Sequence, residues 1–126
     1  MSLSCDVCIG TDETFDNEFY AETTPVARRQ HQCIECNAII VPGAKYNRTV
    51  IKDRGVVDTY RRCALCAEIQ RVFACGKSFL FSQLWEDMQD AFPSLRVTSP
   101  CFNQLSMEAR AFLTQRWWKW MEDQAR

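Results

Sequence analysis

The sequence predicts a small α+β domain in which a knuckle, a β-hairpin and a helix are followed by C-terminal helices. Three observations predict it. Cys33-x-x-Cys36 and Cys63-x-x-Cys66 are two tight cysteine pairs separated by 26 residues. Between them lies an alternating segment with a turn at its middle, and the second pair opens a stretch with helical spacing. Each C-x-x-C offers two thiolates from one turn, and two such pairs complete the tetrahedron that Zn²⁺ prefers. The expected architecture is therefore zinc-stapled and treble-clef-like. Four sulfurs close the coordination sphere, so the metal is expected to hold the fold rather than activate water.

The elements follow in order. Residues 10–24 are polar and acidic and read as a loop, with Phe15, Phe19 and Tyr20 as anchors and Pro25 as its end. Asn37 stands where a knuckle needs a residue that tolerates positive φ. Pro42-Gly43 reads as a turn. Residues 45–52 alternate with β-branched and aromatic side chains, Asp53-Arg54-Gly55 is a hairpin turn, and Val56 to Arg61 is the returning strand. From Ala64 to Cys75 the spacing is helical, with Leu65, Ile69, Val72 and Phe73 on one face and Gly76 as the stop. The start of that helix favours thiolate charge. Phe81, Leu84, Trp85, Met88 and Phe92 outline a second helix stopped by Pro93. Residues 94–104 read as a loop. Ser106 caps a final helix to about Asp123, whose inner stripe is Leu105, Ala109, Phe112, Leu113, Trp117, Trp120 and Met121. Trp118 points away from that stripe. The division expected is a zinc-binding module over 1–92 and a packed loop and helix over 93–126.

With 126 residues and eight cysteines, the chain needs a staple more than a large core. No apolar leader or membrane-length run is present, which favours metal thiolates over secreted disulfides and implies a cytoplasmic setting. The net charge of −1 hides an asymmetry. Residues 1–25 carry six acidic and no basic groups, whereas residues 26–80 carry ten basic groups against four acidic. That arrangement suits a polyanion surface with a shielding arm, or two segments that attract each other in the fold. An isoelectric point near 5.8 lies below the usual range of nucleic-acid binders.

Cys5-x-x-Cys8 is a third pair and needs partners. Cys75 lies nine residues after Cys66, about 900° and about 13.5 Å along a continuous helix, so one ion cannot take both. A second site of Cys5, Cys8, Cys75 and one more group follows. His31 leads for the fourth place, being the single histidine and two residues before Cys33, and Cys101 is next. A buried apolar role for Cys75 and a surface role for His31 are the alternatives.

No P-loop and no nucleophile elbow are present. One histidine beside a cysteine knuckle is thin material for a metal nuclease, which remains the distant third reading. Glu86, Asp87 and Asp90 read as a solvated helix face. The chain is thus expected to act without catalysis.

The central block resembles a family of small proteins encoded by bacteriophages and prophages. The resemblance rests on residues 27–36 (ARRQHQCIEC), 41–46 (VPGAKY), 59–66 (TYRRCALC) and 73–76 (FACG), with Leu84-Trp85-Glu86. It spans roughly residues 5–90. It implies two zinc ions, with His31 and Cys75 in the second site, and a bacterial host cytoplasm. Asn37 stands where that family usually has Gly, and the tryptophan-rich tail departs from it. Two functions compete. The first is a protein-binding inhibitor of a host defence complex, anti-CRISPR-like, or of other host machinery, with Trp118, Arg116 and Lys119 meeting the partner. The second is a nucleic-acid-binding zinc finger regulator that uses Arg48, Lys52, Arg54, Arg61 and Arg62. Neither needs a small-molecule substrate.

Overall fold

A computed structural model describes residues 8–11, 18–91 and 100–124. Cys5, Phe15, the Phe92-Pro93 helix stop and most of the 94–104 loop lie outside the described residues. The elements are β1 (Phe19–Thr23), β2 (His31–Gln32), β3 (Ile39–Ile40), β4 (Tyr46–Asp53), β5 (Val56–Cys63), α1 (Ala64–Phe73), α2 (Leu84–Ala91), α3 (Pro100–Asn103) and α4 (Met107–Gln124). They build a small α+β protein around a three-stranded antiparallel sheet of order β1-β4-β5.

The expected hairpin is β4 and β5, in register from Tyr46↔Cys63 to Asp53↔Val56. Its two-residue turn holds Arg54 at φ 52° and Gly55 at φ 79°. Both central residues are left-handed, as the favoured right-twisted hairpin turn requires. The knuckle is a second, small hairpin of β2 and β3. Asn37 takes φ 64° there and donates its N–H to Cys33 O at 2.9 Å.

Three expectations change. The acidic segment is not all loop, since Phe19–Thr23 is a strand paired with β4 from Phe19↔Lys52 to Thr23↔Arg48. Glu18 forms an ion pair with Lys52 Nζ at 3.7 Å and accepts from Gly55 N at 3.1 Å. The acidic front thus meets the basic middle within the fold. Second, α1 ends at Phe73 with Ala74 as its cap, and Cys75 rather than Gly76 takes the first left-handed position, at φ 56°. Third, Pro100–Asn103 is a short helix inside the expected loop.

Partners directly opposite in an antiparallel pair share a face. The inner face of the sheet carries Asn47, Thr49 and Arg62, all fully buried. Arg62 belongs to this polar core and not to a nucleic-acid surface. Its Nη2 and Nε donate to Asn47 Oδ1 at 2.9 and 3.3 Å, and its Nη1 donates to Gln70 Oε1 of α1. Its guanidinium lies over the Phe79 and Phe81 rings, at 5.2 and 4.9 Å. Asn47 Nδ2 in turn donates to Glu22 Oε1 at 3.0 Å. Burial lowers the Arg62 pKa, while the Glu35 and Glu22 carboxylates hold it up. One buried cation therefore ties β1, β4, β5 and α1 together, and a satisfied buried network of this kind is costly to break.

α4 packs on α1. Glu68 of α1 accepts from both the hydroxyl and the backbone N–H of Ser106, and Ser106 Oγ accepts from Ala109 N at 3.2 Å. The expected inner stripe buries Leu105, Ala109, Leu113 and Trp120. Met121 differs, being 44% exposed. Trp85 of α2 meets Phe112 and Trp120. One apolar core runs from Ala27 and Cys33 through Ile69 and Phe73 to Trp120.

Candidate metal centre

Cys33, Cys36, Cys63 and Cys66 come together, with ligand atoms all within 4.8 Å of one another. Cys36 Sγ and Cys63 Sγ are 3.9 Å apart. A tetrahedron with metal–sulfur bonds of about 2.3 Å has an edge of about 3.8 Å, so the cluster fits a metal ion. Cys33 and Cys66 are fully buried, and Cys36 and Cys63 half-buried. Among the described residues this is the one cluster of three or more reduced ligating side chains.

Local structure explains how the sulfurs are aimed. The knuckle turns the first pair inward. On the other side Cys63 ends β5 and caps α1, its Sγ accepting from Cys66 N at 3.5 Å. Both second-pair sulfurs thus sit where the helix presents unpaired N–H groups and the positive end of its dipole.

The four thiols act on one another, two being lowered and two raised. Contact with Cys36, then with Cys63 and Cys66, pulls the Cys33 thiol far down. Cys36 stands at about 7, raised by Cys33 and lowered by Cys63 and Cys66. Cys33 and Cys36 push the Cys63 thiol well up, and Cys33, Cys36 and Cys63 do the same to Cys66. Ionisation of the first pair is favoured, and ionisation of the second pair is opposed by the charge already present. A divalent cation at the centre removes that opposition, which is the electrostatic case for a metal here.

The remaining predicted residues fall elsewhere. Cys8 and Cys75 are joined as a disulfide, with Cα atoms 5.8 Å apart and 67 residues between them in sequence, where metal ligation had been expected. His31 is not brought to them. It lies in β2 with its ring 5.2 Å from Tyr46 and lines a shallow hollow with Cys33, Ile34, Thr59 and Arg61. Desolvation, then the charges of Arg61 and Arg29, lower its pKa. Cys101 is buried with Sγ 3.8 Å from Val72 O, near the Cys75 end of α1.

Of the partner-binding candidates, Trp118 is 61% exposed. Lys119 lines a groove with Gln89, Phe112 and Trp120. Arg116 also borders it, but its guanidinium lies 4.1 Å from the centre of the Trp85 ring, so it is engaged within the fold. Arg54 is exposed at the hairpin tip, Lys52 is paired with Glu18, and Arg48 is half-buried on the outer face of the sheet.

Two positions escaped sequence reading. Gly10 lies so close to the turn after α1 that a Cβ would meet Ala74 O and Lys77 Cβ. Glu35, between the first two cysteines, is a half-buried carboxylate that accepts from Leu84 N at 3.2 Å, and burial raises its pKa. Nothing local in the sequence signals either contact.

The chain matches no protein-family model, no curated protein and no solved structure. Among the described residues no helix is long and apolar enough to cross a membrane.

Proposed function

We propose that this chain is a non-enzymatic zinc-binding module, treble-clef-like at its metal, that acts by docking a helix of a protein partner on α4. Zinc is the ion that four cysteine sulfurs at tetrahedral spacing suit best. Four sulfurs fill a tetrahedral sphere and leave such an ion no open position, which argues for a structural role.

The observation that carries the docking reading is a second apolar stripe on α4. Met107, Ala111, Thr114, Trp118 and Met121 are spaced four, three, four and three residues apart. They fall within about 80° of the helical wheel, opposite the buried stripe. Met107 is 84% exposed, Trp118 61% and Met121 44%. A 3.5-residue apolar repeat over two heptads is the seam of a helix that packs on another helix. Lys119, exposed beside Trp118, supplies a charged rim. The resemblance to phage-encoded proteins directs the search to bacterial host complexes, a defence complex first.

Affinity capture from bacterial lysate tests this. The wild-type chain should retain a defined protein that Trp118→Glu loses, with zinc content equal in both. Recovery of nucleic acid alone would overturn it.

One observation favours a second reading, a nucleic-acid-binding finger. Arg48 and Arg61 stand directly opposite each other on the outer face of the sheet, near Arg29 and His31. Like charges in that position repel unless an anion joins them. This reading requires affinity for DNA or RNA that falls steeply with salt.

A further inference from the structure

Arg48 and Arg61 stand directly opposite each other across β4 and β5, where paired side chains have Cβ atoms about 5 Å apart. Thr23 of β1 is the partner of Arg48 on its other side, so one row across the outer face reads Thr23, Arg48, Arg61. Thr59, two residues before Arg61 in β5, shares that face. The row ends at a hollow of about 330 Å³ between β5 and the knuckle, lined by Arg61, Thr59 and His31 and by Gln32 and Asn37 of the knuckle. Arg29 adds a third cation. Desolvation, then the charges of Arg61 and Arg29, lower the His31 pKa, so both guanidinium groups act on one ring.

This corner is built for an anion. Neither the row nor the lining of the hollow contains a carboxylate, and among the described residues no ion pair reaches Arg29, Arg48 or Arg61. By contrast, Lys52 pairs with Glu18, and Arg62 is held by Asn47 and Gln70. Arg61 Nε is buried and has no hydrogen-bond acceptor. A buried donor of a charged group without an acceptor is costly and rare. The frame around it is fixed, since Ile34 N donates to Arg61 O at 2.9 Å and Gln32 Nε2 donates to Asn37 O at 3.1 Å.

Two cations directly opposite on a sheet repel. An oxyanion between them turns that repulsion into attraction, and guanidinium forks match the geometry of phosphate. Charge selects the kind of phosphate. A terminal phosphate carries about −1.5 to −2 at neutral pH, whereas each phosphate inside a nucleic-acid strand carries a single negative charge. Three guanidinium groups with no carboxylate among them balance the first better. The hollow is in the size range of small-molecule sites, which leaves room for the group that bears the phosphate.

We infer that Arg29, Arg48 and Arg61, with Thr59, form a binding site for a terminal phosphate, borne either by a small molecule or by the end of a nucleic-acid strand. The site shares Arg48 and Arg61 with the nucleic-acid reading but does not rest on it, because free phosphate is enough to fill it.

The test is thermal melting of the zinc-loaded full chain in phosphate, dimethyl phosphate or chloride at equal ionic strength. Phosphate should raise the melting temperature by a few degrees, and the other two should do less. Arg48→Gln and Arg61→Gln should each weaken phosphate binding about tenfold or more, while Lys52→Gln should keep the full response. Without phosphate, Arg48→Gln should melt at or above the wild type, because one charge of the repelling pair is gone. Glycerol phosphate and a short single strand with a 5′-phosphate separate the two sources, and whichever stabilises at the lower concentration names the bearer. Equal melting in all three salts overturns the inference, as does a full phosphate response in both arginine variants. Binding of a hydroxyl-ended strand that falls steeply with salt, with no response to phosphate, overturns it and leaves the nucleic-acid reading standing. A phosphate response with no binding of any strand upholds it and overturns that reading instead. The comparison of salts is made on the wild-type chain, so the outcome does not depend on a variant folding.

Discussion

At the N-terminal end of α1 the sulfur of Cys63 receives a backbone N–H, whereas at the C-terminal end the sulfurs of Cys75 and Cys101 face backbone carbonyls. The same helix thus offers sulfur two opposite fields. Its positive end favours thiolates, and its negative end disfavours them. Four thiols close together at the first end find their charge partly compensated before any ion arrives. At the second end a thiolate has no such help, and the neutral disulfide is the easier state. One helix thus holds four free thiols at one end and a disulfide at the other.

Breaking the first end should have the largest effect. Cys33→Ser, or removal of zinc by a strong chelator, should abolish cooperative unfolding as read by circular dichroism. Structural zinc contributes about 10–16 kcal/mol of apparent binding energy in small domains. That is comparable to or larger than the whole stability of a domain this size, about 5–15 kcal/mol. A chelated chain that still melts cooperatively would show that the core from Ala27 to Trp120 stands without the ion.

Gly10→Ala attacks the second end alone. The added methyl meets Ala74 O and Lys77 Cβ, so the segment carrying Cys8 must lift from its seat. Strain of this kind costs about 1–3 kcal/mol. The variant should stay folded with its ion bound and should lose the Cys8–Cys75 bond. Unchanged disulfide content, read by peptide mapping, would mean that the seat does not govern the bond.

Competition with a chelator sharpens the contrast further. Withdrawal of zinc should expose the Cys33 set to alkylation and leave the Cys8–Cys75 bond intact. Loss of that bond on chelation would refute the independence of the two ends.

The two ends also differ in how legible they were. The first end could be read from sequence because every signal is local. Two C-x-x-C spacings, Asn37 at a left-handed position, the Arg54-Gly55 turn and a cysteine cap all act within a few residues. The second end depends on contacts that spacing does not encode. The helical pattern runs on to Cys75, whereas the helix stops at Phe73; Cys75 stays apart from the Cys33 set, as the offset from Cys66 requires, but its bond to Cys8 is not written in the spacing. His31 was favoured as a ligand for its residue type, yet β2 turns it toward Tyr46. β1 was missed because Phe19 and Tyr20 are both half-exposed, so no alternation marks an inner face. The outer stripe of α4 was present in sequence all along, hidden because the inner stripe already explained the helix.

The smallest effect discriminates most finely between a sulfur kept for packing and one kept for a bond. At φ 56° Cys75 is strained, and glycine at a left-handed position relieves strain worth about 1 kcal/mol. In the reduced protein Cys75→Gly should therefore raise the melting temperature by a few degrees. In the oxidised protein the order should invert, because the wild type keeps the Cys8–Cys75 bond and the variant cannot form it. If the sulfur served only as a small buried apolar group, the variant would be less stable in both conditions, through lost contact with Phe73. Crossing of the two melting temperatures on oxidation is therefore required, and a site at the N-terminal end offers no counterpart. Cys63 caps α1 with its own sulfur, so Cys63→Gly loses a cap as well as a ligand and should be destabilised whether zinc is present or absent.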